Sequence, residues 1–303
     1  MSLLFWQIIF LALLQGITEL FPISSLGHTV ILPGLLPWLF GSSSNNIVNN
    51  PNFLPIIVAL HLGTAIALVI YFWRDWLQVL RTLGRSIKEG EVRKGTDEWV
   101  SWLIIIGCIP AGLIGVFLET PLKQLFTSPL IAAAFLVVNG SILYAGERLR
   151  RRAEAKVAFL TPKEREAHFR SLSSLSWKEA IIVGLAQSLA LIPGISRSGS
   201  TMVAGLGVRL THEDAARFSF LLGTPIIGAA ALLEVPQLFQ AHEPVSTLAL
   251  IGIGMVVAGV AAFLSTRYLM KYFETGRLDP FAYYCWAAGL LAFFLFVAVL
   301  HVS

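Results

Sequence analysis

Residues 21–28, FPISSLGH, and residues 192–200, IPGISRSGS, each interrupt an apolar run at its centre with proline, glycine and serine. Proline stops a helix because it lacks an N–H and its ring clashes with the preceding turn, while glycine and serine favour the irregular backbone that follows. Irregular backbone at membrane depth is tolerated only where it is buried in protein or lines a cavity. The stretches around the two breaks, 1–40 and 177–208, are therefore expected to be re-entrant helix–loop–helix hairpins rather than spans.

The rest of the chain makes a bilayer the right frame. Of 303 residues, 56% are apolar and only 13% charged, whereas a soluble domain carries roughly 25% charged residues. The mean hydropathy is +0.74. Apolar segments near 53–73, 99–118, 129–147, 215–235, 246–266 and 280–300 are each long enough to cross, since a spanning helix needs about 20 residues. The expected fold is an all-α polytopic membrane protein, one domain over 1–303, with six transmembrane helices and the two hairpins.

Charge sets the orientation. Twenty of the 22 lysines and arginines lie in 74–98, 148–178 and 267–277 or at Arg209 and Arg217, while the loops 41–52, 119–128 and 236–245 hold only Lys123. By the positive-inside rule the first group faces the cytoplasm and both termini face outside. The net charge of +4 is thus an orientation signal, and nucleic acid is excluded as a partner. Cys108 and Cys285 fall in apolar runs without disulfide or metal spacing and are read as packing residues. The N-terminus lacks the basic region of a cleavable signal peptide.

The two breaks are also copies of one another. An offset of 172 residues sets Gln15 on Gln187, Ile23 on Ile195, Ser24 on Ser196, Gly27 on Gly199 and Thr29 on Thr201, and an offset of 160 sets Leu62-Gly63-Thr64 on Leu222-Gly223-Thr224. The chain is read as a first repeat, 1–147, a basic cytoplasmic loop, 148–176, and a second repeat, 177–303. Three spans per repeat is an odd number, so the second is inverted, and the hairpins enter from opposite sides.

Chemistry concentrates at the breaks. Gln15 and Glu19, spaced i and i+4, share a helix face. Glu19 is the one carboxylate deep in an apolar stretch and Arg197 the one basic residue in a break; such a charge costs at least about 2.5–3.5 kcal/mol at the bilayer centre, so the two mark either a site or a structural ion pair. Both return segments begin with hydroxyl residues suited to N-caps, and helix N–H groups converging beside Arg197 make an anion site best matched by phosphate. Ser24, Gly194, Ser196, Ser198, Gly199 and Thr201 are the candidate phosphate contacts, with bonding to a carbonyl one turn earlier as the plain alternative for each hydroxyl. Ser25 and His28, three residues apart beside Glu19, can supply a nucleophile and an acid/base. His61, in a span near Gly63-Thr64, could reach the cavity but as a lone histidine on such a face is read as structural, and His168, His212, His242 and His301 are loop or terminal residues.

These motifs resemble the undecaprenyl-diphosphate phosphatase family of bacterial membrane enzymes, also called bacitracin-resistance proteins. The family signature (E/Q)xxxE followed by PxSSxGH is met by Gln15 to Glu19 and Pro22 to His28, the signature PGxSRSGxT by Pro193 to Thr201, and FSFLLGTP at 218–225 also matches. The resemblance covers essentially the whole chain. It implies hydrolysis of undecaprenyl diphosphate to undecaprenyl phosphate in the bacterial plasma membrane, at a site opening to the outer face, so that the lipid carrier is recycled for peptidoglycan synthesis. It also implies a divalent cation, Mg²⁺ or Ca²⁺. On this likeness Arg197 binds the diphosphate, Glu19 with Gln15 holds the cation or orients the attacking group, His28 is the general acid/base, and Ser25 is the nucleophile or, if water attacks, a phosphate ligand. The polyprenyl tail is expected to stay in the bilayer. The loops 41–52 and 148–178 are longer than the family's and are expected to have no catalytic role. A rival of another class is a secondary transporter or lipid flippase with the same repeats around a phosphate site, which has no evident use for Ser25 beside His28.

Overall fold

The computed structural model describes residues 3–36, 52–117, 128–161, 169–241 and 244–299. Of the expected outer loops, 41–51, 119–127 and 242–243 lie outside the described residues, as do 162–168 of the basic loop and the chain ends, and with them Lys123, His168, His242 and His301.

The first break separates α1 (Leu3–Thr18) from α2 (Ser25–Leu35). Then follow α3 (Phe53–Tyr71), α4 (Trp73–Glu89), α5 (Asp97–Phe117) and α6 (Pro129–Lys156). The second break separates α7 (Trp177–Ser188) from α8 (Arg197–Gly207), after which come α9 (His212–Gln240), α10 (Val245–Tyr272) and α11 (Asp279–Phe294). Six of these, α3, α5, α6, α9, α10 and α11 together with the π-helical turn that carries it on to Ala298, are long and apolar enough to cross a membrane. The chain is a multi-pass membrane protein.

The helices outrun the apolar segments at their polar ends. α6 continues nine residues past the expected limit at 147 to Lys156, because the start of the basic stretch is helical. There the fully buried Glu147 accepts from Arg277 Nη1 (2.7 Å), His212 Nε2 (2.9 Å) and the Leu278 amide (3.1 Å), and Arg151 pairs with Asp279. The stretch 74–98 is likewise no simple loop. Its first part is α4, whose Val79, Thr82 and Ser86 are buried while Trp73, Leu77, Leu80 and Ile87 form an exposed apolar stripe on another face, the pattern of a helix lying in a lipid interface.

Around this frame α3 packs against α9 and α10, α6 against α11, α1 against α10 and α5 against α7, while α2 and α8 both lie on α6. Cys285 is buried and Cys108 half-buried, both as free thiols in the packing.

The two breaks meet, and α6 holds them. The fully buried Asn139 donates from Nδ2 to the carbonyl of Pro22 (3.0 Å) in the first break and accepts at Oδ1 from the amide of Ser196 (2.9 Å) in the second. Ser198 Oγ also donates to the Phe21 carbonyl (3.3 Å). The backbones touch at Gly27 and Gly194: a Cβ on Gly27 would lie 2.9 Å from Gly194 Cα, and Gly194 itself has φ +100° with its missing Cβ facing the Ala132 carbonyl at 2.3 Å. A side chain at Gly27 would push the breaks apart, and one at Gly194 would push the second break off α6.

Replacing Asn139 with Ala leaves the buried Ser196 amide without its partner, at about 1–3 kcal/mol, and the Pro22 carbonyl with only the weak Cys285 thiol at 3.9 Å. Asn139→Ala is therefore expected to lower the melting temperature of the purified protein in detergent by several degrees. An unchanged melting temperature would show that the breaks meet without it.

Candidate active site

The side chains that the breaks bring together line one cavity of about 230 Å³. Its polar wall consists of Glu19, Ser24, Ser25, Ser196, Arg197, His61 and Gln187, and its other walls are apolar, among them Leu54, Ile57 and Val58 of α3 and Ile226, Ile227 and Ala230 of α9.

Glu19 is the hub. Its Oε1 accepts from Arg197 Nε (3.2 Å) and Nη2 (3.1 Å), and its Oε2 accepts from Ser25 Oγ (2.5 Å) and Gln15 Nε2 (3.1 Å), with His61 Nε2 at 3.4 Å. Arg197 Nη1 donates to the Ser219 carbonyl (3.1 Å). A guanidinium has five N–H bonds. Three are spent on Glu19 and Ser219, which leaves one hydrogen on each terminal nitrogen with no partner among the described residues. Two hydrogens on adjacent nitrogens are the fork that matches two oxygens of one phosphoryl group.

Local backbone sets the aim of Ser25. Ser24, the N-cap of α2, adopts φ 68°, a left-handed conformation rare for residues with a side chain, and its Oγ accepts from the Gly27 amide (3.1 Å). Such a conformation costs on the order of 1–3 kcal/mol and persists where its surroundings enforce it. The turn lifts Ser25, the first helical residue, toward Glu19. The second return helix starts in the same way, with the Ser196 side chain capping the Gly199 amide (3.1 Å) and Arg197 as first helical residue.

The structure separates Ser25 from His28. The His28 ring has Nδ1 2.7 Å from the Ser24 carbonyl and Nε2 2.7 Å from the Tyr284 hydroxyl, and it is not on the cavity wall. A carbonyl only accepts, so Nδ1 carries the hydrogen and Nε2 takes that of Tyr284. Three residues along a helix turn the side chain by roughly 60° from Ser25, and these two partners keep it there. In place of the expected reach into the site, His28 braces the strained Ser24 peptide from behind. Of the other expected phosphate contacts, Ser24 and Ser196 line the cavity. Gly194, Ser198, Gly199 and Thr201 lie behind it: Thr201 Oγ1 donates to Ser219 Oγ (2.6 Å), and Ser198 ties to Phe21.

Two cavity residues escaped the sequence reading. His61 has Nδ1 2.8 Å from the Ile57 carbonyl and Nε2 toward Glu19, so this imidazole, and not His28, faces the cavity. A lone histidine in an apolar span carries no signal of its partner, although its place in α3 immediately before the repeated Leu62-Gly63-Thr64 is a hint. Gln187 was noticed only as the repeat mate of Gln15.

A cation finds a limited donor set. No group of three or more His, Cys, Asp or Glu side chains converges among the described residues. The buried Gln15 Oε1, however, has no hydrogen-bond partner among them, and an amide oxygen beside a carboxylate suits a hard cation that takes its remaining ligands from phosphate and water.

The family described as bacitracin resistance protein BacA matches residues 8–291. Among relatives, undecaprenyl-diphosphatase 2 of Burkholderia thailandensis is 46% identical over 296 residues, covering 97% of this chain and 98% of its own. Undecaprenyl-diphosphatase of Acidiphilium cryptum is 44% identical over 290 residues, covering 94% and 95%. That of Mycolicibacterium paratuberculosis is 46% identical over 287 residues, covering 91% and 92%.

Gly223 of α9 offers a probe that removes no polar group. A Cβ there would sit 2.2 Å from Arg197 Nη1 and 2.4 Å from its Cζ, so Gly223→Ala displaces the guanidinium while favouring the helix by about 1 kcal/mol. The variant is expected to unfold no earlier than the parent yet to bind inorganic pyrophosphate about 10–100-fold more weakly by titration calorimetry, as misplacement by an ångström does. Equal affinity would mean that Arg197 does not face the anion.

Proposed function

The chain belongs to the bacitracin resistance protein family, and from that premise we infer that it hydrolyses undecaprenyl diphosphate to undecaprenyl phosphate and inorganic phosphate. The observation that carries the reading at the level of residues is one array on one cavity wall: Ser25 Oγ 2.5 Å from Glu19 Oε2, with Glu19 Oε1 3.1 Å from Arg197 Nη2.

Phosphoryl transfer is chiefly positioning and charge stabilisation. The diphosphate takes the free hydrogens of Arg197. As it does so it competes with Glu19 for the guanidinium and leaves the carboxylate a better proton acceptor. Ser25 Oγ attacks the terminal phosphorus, its proton passes to Glu19 Oε2, and the bond from that phosphorus to the bridging oxygen breaks, releasing undecaprenyl phosphate. Water then frees Ser25. Bound by Glu19, Gln15 Oε1 and diphosphate oxygens, a Mg²⁺ or Ca²⁺ ion would supply further charge neutralisation. The role of His28 is to hold Ser24, and through it Ser25, while His61 keeps the second Glu19 oxygen in place. The isoprenoid tail leaves along the apolar walls into the bilayer. A transport protein needs the anion site but not a hydroxyl bonded to a carboxylate, and the names of the relatives favour the hydrolase.

The α1–α2 and α7–α8 pairs are read as re-entrant hairpins of an inverted repeat. Their helices have 16, 11, 12 and 11 residues, and 11 residues make only about 17 Å of helix against a core of roughly 30 Å. With the basic ends inside, the site opens to the outer face of the plasma membrane.

Phosphate release from undecaprenyl or farnesyl diphosphate by the purified protein tests the activity, and Ser25→Ala is expected to abolish it. A Ser25→Ala protein that keeps most of its kcat would contradict the nucleophile. His28→Ala should slow turnover and lower the melting temperature together, whereas His61→Ala should slow turnover with the melting temperature unchanged. For the orientation, a cysteine introduced into 148–161 should resist an impermeant reagent in intact cells; strong labelling from outside would reverse the topology.

A further inference from the structure

Gln187, on the last turn of α7, is 2% exposed and lines the cavity beside Ser196 and Arg197. Neither its amide oxygen nor its amide nitrogen has a hydrogen-bond partner among the described residues. Burying an amide unpaired is unfavourable, so an amide left this way on a cavity wall points to a ligand. Because both atoms are free, the conclusion does not depend on which end is oxygen.

The chemistry of the amide selects the ligand. An ionised phosphoryl group offers only acceptors, which pair with Nε2 and repel Oε1. Water offers hydrogens as well as lone pairs. The repeat mate Gln15 has its Nε2 committed to Glu19 at 3.1 Å and does not line the cavity; of the two related amides, Gln187 alone lines it and has both amide atoms without a partner among the described residues. We propose that Gln187 is a catalytic residue of the second half-reaction: it orients the water that hydrolyses the phosphoserine formed at Ser25. This rests on the reading of Ser25 as nucleophile.

In that step Oε1 accepts one water hydrogen and Nε2 donates to a phosphoryl oxygen, so the water lone pair is turned toward phosphorus, as a glutamine does for water in other phosphoryl transfers. The water oxygen bonds to phosphorus while the bond from phosphorus to Ser25 Oγ breaks. Glu19 returns to Oγ the proton it took in the first step. The water oxygen keeps one hydrogen, the other moves to a phosphoryl oxygen, and dihydrogen phosphate leaves with Glu19 again ionised.

The test is rapid-quench kinetics on the full chain in detergent, with farnesyl diphosphate labelled at the terminal phosphorus. Gln187→Met fills the same volume without hydrogen-bonding groups, and Gln187→Asn keeps the amide but withdraws it, so that at least one variant is expected to fold. Both should release farnesyl phosphate in a burst near one per enzyme, then turn over about 10²-fold more slowly than the parent, with label accumulating on Ser25. A raised KM at unchanged kcat without accumulated label would make Gln187 a substrate ligand and overturn the proposal, and parent-like kinetics in both variants would make it structural. Lost turnover with no label on Ser25 in parent or variants has its own signature: it overturns the covalent reading of Ser25, and the present inference falls with it.

Discussion

The contact between Glu19 and Arg197 is the interaction on which the rest depends. Each charge lies in a broken apolar segment, with both side chains largely buried, where alone it would be costly to desolvate. Together they satisfy one another and recruit Ser25, Gln15, His61 and the Ser219 carbonyl around them. A buried pair of this kind is poor evidence for stability, because its desolvation offsets much of its attraction. In the proposed mechanism its use is different: it stores, in one place, a guanidinium that a diphosphate can claim and a carboxylate that is released as the claim is made.

Such a pair needs two irregular backbones within reach of each other, and three uncharged devices provide this. Asn139 satisfies one carbonyl and one amide across the gap. Gly27 and Gly194 let the turns touch, and Gly223 gives the guanidinium a berth against α9. The strained Ser24, pinned by His28 from one side and by the Gly27 amide from the other, then raises Ser25 toward the carboxylate.

Much of this was readable before any coordinates. Six apolar runs identify six spans because length and composition alone decide whether a helix suits a bilayer, and the proline-glycine-serine breaks announce themselves because few other residues tolerate such backbone. Partner choice was not readable. Ser25 and His28 look like a pair in the sequence, yet the ring is turned away by Tyr284, 256 residues further on, and no local spacing encodes that. His61 and Gln187 reach the cavity only because α3 and α7 pack around the breaks. The sequence carries no sign that Asn139 bridges the two breaks, and the stretch that forms α4 reads as a charged loop because its apolar stripe is diluted by arginines on the other faces.

The central claim is that Glu19 and Arg197 act as one unit, and a double-mutant cycle on kcat/KM for diphosphate hydrolysis tests it most directly. Residues that act together lose function non-additively. Glu19→Gln and Arg197→Lys should each reduce kcat/KM steeply, the second because the planar fork is lost although the charge is kept, and the double variant should be no worse than the weaker single one by more than about threefold. Losses that multiply in the double variant would mean that the two charges act independently, and the site described here would be two sites.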